Sequence, residues 1–124
     1  MNQAYSKEYL VIIKISGNII DDETRLESFL KDLSAVQGHK ILVHGGGVMA
    51  TQLAKELGIE QKMIDGRRIT DKDTLKIVTM VYAGYINKKI VAFLQANHSN
   101  AMGLTGADGN SIKAHKRKNA NLDY

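Results

Sequence analysis

Residues 41–58 read Ile-Leu-Val-His-Gly-Gly-Gly-Val-Met-Ala-Thr-Gln-Leu-Ala-Lys-Glu-Leu-Gly, and no other stretch limits the fold as much. Ile41, Leu42 and Val43 form a short apolar run of the buried-strand kind, closed by His44 and three consecutive glycines. Ala50, Leu53, Ala54 and Leu57 then recur at i, i+3, i+4 and i+7, one face of a helix, and Gly58 stands where a C-cap belongs. A strand that passes through glycines into a helix gathers bare backbone N–H groups and the positive end of a helix dipole at one point, with no Cβ in the way. Such a loop suits a phosphate or a carboxylate, and a plain tight turn would use the same residues.

A second feature of this kind lies upstream. Tyr9 to Ile15 is a nearly continuous apolar run rich in β-branched residues, the pattern of a parallel strand covered on both faces in an α/β fold. Lys14 interrupts it near its end. An ammonium group is costly to bury, so Lys14 either snorkels to solvent or meets an anion at the strand mouth. Ser16, Gly17 and Asn18 follow as a loop of small residues. Asp21 or Asp22 is placed to cap a helix whose apolar face is Leu26, Phe29, Leu30 and Leu33, ending near Gly38. Strand, helix and strand make a right-handed βαβ unit. If its strands are parallel neighbours, Lys14, Ser16 and Gly17 open at the same sheet edge as Gly45–Gly47, where ligands bind in open α/β folds.

Further along, Lys62 to Ile69 alternates loosely around Asp65-Gly66, a hairpin signal. Arg67 and Arg68 follow the turn on opposite faces of a strand, so one of them alone can face a given site. Either one is open to solvent or serves as a two-pronged carboxylate clamp. Thr70, with Asp73 three residues on, is placed to start a long helix reaching about Asn97. Its apolar positions, Leu75, Val78, Tyr82, Tyr85, Ile86, Ile90, Phe93 and Leu94, widened by Ile77, Val81 and Val91, exceed one stripe, which predicts burial against the sheet and against a second subunit. Ala83-Gly84 offers a place for close backbone approach. Ala101–Leu104 and Ile112–Ala114 read as further short strands, with a turn-rich loop at Thr105–Asn110 between them.

At 124 residues the chain fits one domain. Without cysteine it has no disulfide framework and no cysteine metal site. The histidines, His39, His44, His98 and His115, lack metal-ligand spacing, so no metal site is expected. The net charge of +4 equals the charge of Lys113, Lys116, Arg117 and Lys118 alone, a short run that reads as a solvated loop and not as a nucleic-acid surface. No signal peptide and no apolar run long enough to span a bilayer is evident, which predicts a cytoplasmic protein without membrane or nucleic-acid partners.

Taken together, Val-Ile-Ile-Lys-Ile-Ser-Gly at 11–17, Val-His-Gly-Gly-Gly at 43–47, Gly-Arg-Arg-Ile-Thr at 66–70 and Gly-Leu-Thr-Gly-Ala-Asp at 103–108 resemble the first half of the amino acid kinase family. Gly-Arg-Arg-Ile-Thr ahead of a long helix resembles its acylated-glutamate branch more than its carbamate or aspartate branches. The resemblance implies an α/β three-layer sandwich with a mainly parallel central sheet and a β-hairpin near 62–69. It further implies that residues 1–124 form the N-terminal lobe for the acyl amino acid and for homodimerisation through the helix near 71–97. The implied reaction uses ATP with Mg2+ to phosphorylate the side-chain carboxylate of N-acetyl-L-glutamate to an acyl phosphate, in arginine biosynthesis.

By position, Lys14 resembles the lysine that stabilises the transferring phosphoryl group, and Gly17 and Gly45 fall on the phosphate side. Gly46 and Gly47 resemble the donors facing substrate and phosphoryl oxygens, and Arg68 the arginine that holds the α-carboxylate. Two departures stand out. Ser16 occupies a place where the family often has glycine. The family's nucleotide-binding half follows the point where this sequence stops at Tyr124, so the segment by itself is expected to turn over no ATP. A kinase for another N-acyl-glutamate, such as the succinyl form, and a non-catalytic module for an acidic metabolite remain alternatives. Eight polar N-terminal residues are too few for the extra helix of arginine-inhibited relatives, which predicts a simple dimer without that feedback.

Overall fold

The computed structural model describes residues 9–64, 67–115, 118–119 and 122–123. The polar N-terminus, the Asp65-Gly66 turn, and Lys116 and Arg117 of the basic run lie outside the described residues. Strand β1 (Leu10–Lys14) and strand β2 (His39–Val43) pair in parallel from Leu10 opposite His39 to Lys14 opposite Val43. Between them run a short helix α1 (Gly17–Ile20), unforeseen from the small residues there, and helix α2 (Glu23–Ala35). Asp22 is the cap of α2, its carboxylate accepting from the Arg25 N–H at 3.0 Å. Leu26, Leu30 and Leu33 are buried on the predicted face, with Phe29 partly so.

The α/β class with a parallel sheet stands, but the expected coverage of both sheet faces does not. Side chains alternate along a strand, and paired residues of parallel neighbours share a face. Ile13 and Leu42 therefore point together into the core, joined by buried Ile15. On the opposite face Leu10, Ile12, Ile41 and Val43 are 56%, 67%, 47% and 45% exposed. Among the described residues the helices cover only the first face.

Helix α3 (Gly47–Glu56) follows β2 directly and ends as the sequence indicates. Gly58 takes a positive φ of 69°, and its N–H reaches the Lys55 carbonyl at 3.1 Å. Ala50 and Ala54 are fully buried where α3 meets the next helical segment. Strands β3 (Met63–Ile64) and β4 (Arg67–Arg68) form the expected antiparallel hairpin.

The long helix is continuous from Lys72 to Ala96, capped by Asp71 instead of Thr70, with the Asp71 carboxylate accepting from the Thr74 N–H at 2.9 Å. It divides into α4 (Lys72–Val78), a π-helical segment (Thr79–Ile86) and α5 (Asn87–Ala96). Its core-facing residues are Thr74, Ile77, Val81, Ile86, Ile90 and Leu94. The step from Val81 to Ile86 is five residues where an α-helix takes three or four, and a π-helix, bonded i to i+5, supplies that extra residue. Leu75 and Tyr85, expected on the apolar face, are exposed. By length and composition this helix is apolar enough to cross a membrane, contrary to the expectation that the chain has no such run, yet here it supplies five residues to the hydrophobic core.

Ala101–Leu104 and Ile112–Ala114 are not strands. Ala101 packs on the core, and the loop beyond it is held by Asp108, whose carboxylate accepts from the Thr105 N–H at 2.6 Å and the Thr105 hydroxyl at 2.8 Å. A short 3-10 turn at Asp108–Asn110 follows. Near the end of the chain β5 (Lys118–Asn119) pairs antiparallel with β6 (Leu122–Asp123).

Candidate functional site

The β1–β2 register places both loops of small residues at one sheet edge. Lys14 lies opposite Val43, and the N–H of Ile15 donates to the Val43 carbonyl at 3.0 Å, so the chain leaves the two strands side by side. From β1 it enters Ser16 and Gly17, and from β2 it enters His44 and the glycines. Lys14 is exposed, and no hydrogen bond or ion pair holds its ammonium among the described residues. The Asp21 carboxylate lies near Gly17, where a Cβ added to the glycine would stand 3.2 Å from Oδ2.

The three glycines differ in what surrounds them. A Cβ on Gly45 would meet nothing within 4 Å. Gly46, which is buried, caps α3 and accepts the Ala50 N–H at 3.0 Å. A Cβ there would stand 3.0 Å from Tyr82 Cδ1 and nearer still to Ile86 Cδ1. Gly46 is thus required by the π-helical segment behind it, a demand that neither the ligand reading nor the tight-turn reading of the sequence contained. Gly47 opens α3, and the Tyr82 hydroxyl would be its nearest neighbour at 3.8 Å.

Arg68 reaches this loop from β4. Its Nη2 donates to the Gly47 carbonyl at 2.9 Å and to the Thr51 hydroxyl at 2.7 Å, and its Nη1 donates to the Tyr82 hydroxyl at 3.4 Å. Thr51 in turn donates to the Gly47 carbonyl at 2.9 Å. The Arg68 Nε is buried with no partner among the described residues. A guanidinium seated on the first residue of a ten-residue helix adds a full charge to the positive helix end. With Lys14 at the same sheet edge, the site favours an anion.

A second network holds the loop from the other side. His44 Nδ1 lies 3.0 Å from the Gly45 carbonyl and Nε2 lies 3.3 Å from Asn87 Nδ2. The tautomer that satisfies both carries its proton on Nδ1. Asn87 Oδ1 accepts from the Lys88 ammonium at 3.1 Å, which also donates to the Gly103 carbonyl at 3.1 Å. This ties the loop, α5 and the irregular stretch at Gly103 together.

The amino acid kinase family model matches residues 10–123. The chain belongs to the amino acid kinase family. Among curated relatives, the acetylglutamate kinase of Phocaeicola vulgatus is 58% identical over 118 residues, which is 95% of this chain and 46% of that protein. The acetylglutamate kinase of Cytophaga hutchinsonii is 61% identical over 116 residues, 93% of this chain and 44% of the relative. The chain thus spans a little under half the length of the curated relatives it matches. Among solved structures, the crystal structure of smu.665 from Streptococcus mutans UA159 superposes with a TM-score of 0.55 at 23% identity, covering 72% of this chain and 37% of that one, a likeness of fold.

For a member of this family, the structure brings Gly46, Gly47 and Arg68 into one cluster. Lys14, Gly17 and Gly45 lie at the same sheet edge without a direct bond to it. Sequence reasoning missed Thr51, Tyr82 and Asn87. Thr51 lies one turn beyond Gly47, a spacing that could have been read; nothing local marks Tyr82 or Asn87. Among the described residues no group of three His, Cys, Asp or Glu side chains could hold a metal ion.

Proposed function

We propose that this chain is the acyl-amino-acid-binding lobe of an acetylglutamate kinase, which uses ATP to phosphorylate the side-chain carboxylate of N-acetyl-L-glutamate. The observation that carries the reading is the convergence, on one parallel sheet edge, of the Lys14 end of β1 and of Gly45–Gly47, with Arg68 bonded into the loop. The acetylglutamate kinases that match nearly the whole chain support the choice of substrate.

In this reading a side-chain carboxylate oxygen of the substrate bonds to the γ-phosphorus as the bond to the β–γ bridging oxygen breaks, and ADP leaves with the electron pair. Little covalent help is needed, so catalysis is positioning and charge neutralisation. Arg68 holds the α-carboxylate. Backbone N–H groups of Gly46 and Gly47 face substrate and phosphoryl oxygens, Gly17 and Gly45 serve the phosphate side, and Lys14 neutralises charge that grows on the transferring group. The nucleotide carries Mg2+ on its phosphates, and its site lies mostly outside residues 1–124. The exposed outer face of the long helix, with Leu75, Met80 and Tyr85, is the homodimer contact. The enzyme works in the cytoplasm.

Trapping of acyl phosphate as hydroxamate by the full-length protein tests this. Lys14→Ala is expected to lose about 100-fold or more in turnover while still binding N-acetyl-L-glutamate. Wild-type turnover in that variant would remove Lys14 from its role, and failure of the unaltered protein to form hydroxamate with ATP and N-acetyl-L-glutamate would remove the function.

A further inference from the structure

Arg68 does not stand free to meet a ligand. Its side chain arrives from a two-residue strand, β4, in a hairpin that among the described residues pairs only with itself, and so little in its own backbone fixes it. What fixes it comes from two other elements. Thr51, on the first turn and a half of α3, accepts from Nη2 at 2.7 Å while donating to the Gly47 carbonyl at 2.9 Å, and that carbonyl accepts from the same Nη2 at 2.9 Å. Tyr82, on the π-helical segment, accepts from Nη1 at 3.4 Å, and its ring backs directly on Gly46.

Tyr82 lies within the π-helical segment, next to buried Val81. The Asn87 N–H bonds to the Tyr82 carbonyl, five residues back, and the added residue turns Ile86 and Asn87 inward one step later than an α-helix would. Tyr82 sits between the glycine loop and Arg68, touching both. π-Helical turns are frequent at functional sites because they change which side chain faces a site without ending the helix. Among the described residues, three of the four Nη hydrogens of Arg68 are taken up by protein acceptors, leaving one on Nη1, beside the tyrosine.

We infer that Tyr82 and Thr51 are positioning residues, whose hydroxyls hold the Arg68 guanidinium against the glycine loop in the orientation that receives the substrate carboxylate. The inference rests on the proposed role of Arg68. It adds that affinity for the acidic ligand is set partly by two uncharged hydroxyls that need not touch the ligand. A guanidinium already fixed loses less freedom when the ligand arrives, so its contact contributes more to binding.

Titration calorimetry of the full-length protein with N-acetyl-L-glutamate, run as a double-mutant cycle, tests the inference. Tyr82→Phe keeps the ring behind Gly46 and removes only the hydroxyl, and Thr51→Val does the same on α3. Each is expected to weaken binding about tenfold, the scale of one hydrogen bond to a charged group, with the melting temperature little changed. In an Arg68→Ala background, itself weakened, each second substitution should have no further effect, because the hydroxyls act through the guanidinium. If Arg68→Ala weakens binding but the hydroxyl variants bind as tightly as wild type, or tighter, the positioning role is overturned and the Arg68 role survives. Full additivity of the two losses likewise overturns it. If Arg68→Ala binds normally, or the unaltered protein does not bind N-acetyl-L-glutamate, the Arg68 reading itself fails and this inference falls with it. Should one hydroxyl variant fail to fold, the other carries the test alone.

Discussion

Gly46→Ala is the substitution whose effect the structure specifies most closely. Gly46 has an extended φ of 161°. The obstacle is the long helix. The new methyl would lie 3.0 and 3.2 Å from Tyr82 Cδ1 and Cε1, with Ile86 Cδ1 closer still, against an optimum of about 3.5–4.0 Å between carbon atoms. The tyrosine ring must retreat by about 0.5 Å or more to restore that optimum, and Ile86, 2% exposed, has little room to turn. Overpacking of this kind costs about 1–3 kcal/mol, a sizeable share of the roughly 5–15 kcal/mol that holds a domain folded. Urea unfolding of the full-length protein followed by circular dichroism measures it. Gly45→Ala is the control, since its methyl meets nothing within 4 Å, and it should fall within about 0.5 kcal/mol of wild type. Ile86→Val deletes Cδ1, the nearest atom, and alone costs about 0.5–1.5 kcal/mol. Combined with Gly46→Ala it should cost less than alone, because it vacates the space the new methyl needs. Equal stability of the two alanine variants, or additivity of Gly46→Ala and Ile86→Val within about 0.5 kcal/mol, would refute the packing argument.

Leu30→Ala, at a site 1% exposed, should lower unfolding free energy by about 2–5 kcal/mol in the same assay. Asp22→Ala removes the cap of α2 and should cost about 0.5–2 kcal/mol, with Asp22→Asn retaining most of it. The Lys89–Glu23 ion pair, 2.6 Å long, joins α5 to α2. Its hydrogen bond and charge hold the Glu23 carboxyl below its ordinary value and raise the Lys89 ammonium above its own. The stability due to Glu23 is therefore complete above the ordinary carboxyl value and is lost as pH falls through the lowered native one. That due to Lys89 is complete below the ordinary lysine value and is lost as pH rises through the raised native one. Melting temperatures of Glu23→Gln against wild type should differ most between these limits and converge at both ends, the gap shrinking with added salt because both groups are partly exposed. The Asp71 and Asp108 carboxyls are lowered chiefly by the backbone N–H groups of Thr74 and Thr105. Asp71→Asn and Asp108→Asn should each flatten the acid limb of the melting curve, and an unchanged limb would count against those bonds.

What the sequence determined by itself is everything that depends on near neighbours along the chain. Strand, glycine loop and helix at 41–58, a cap at Asp21 or Asp22, the buried leucines of α2, the helix end at Gly58 and the hairpin within 62–69 all follow from local periodicity and turn chemistry. The shared edge of the two loops followed as well, because one helix between two parallel strands leaves a single arrangement of their ends. The sequence could not decide whether Ala101–Leu104 would be a strand, since a strand needs a partner and the described residues offer it none. Nor could it show that one face of the β1–β2 pair is open, which depends on what packs there. The π-helical step between Val81 and Ile86 was likewise hidden, because an apolar run such as Thr79–Ile86 fits either register equally well, and packing against α3 selects the one observed. Tyr82, in the same segment, stands between Gly46 and Arg68, residues 36 and 14 positions away in the chain, and only the tertiary structure could place it there.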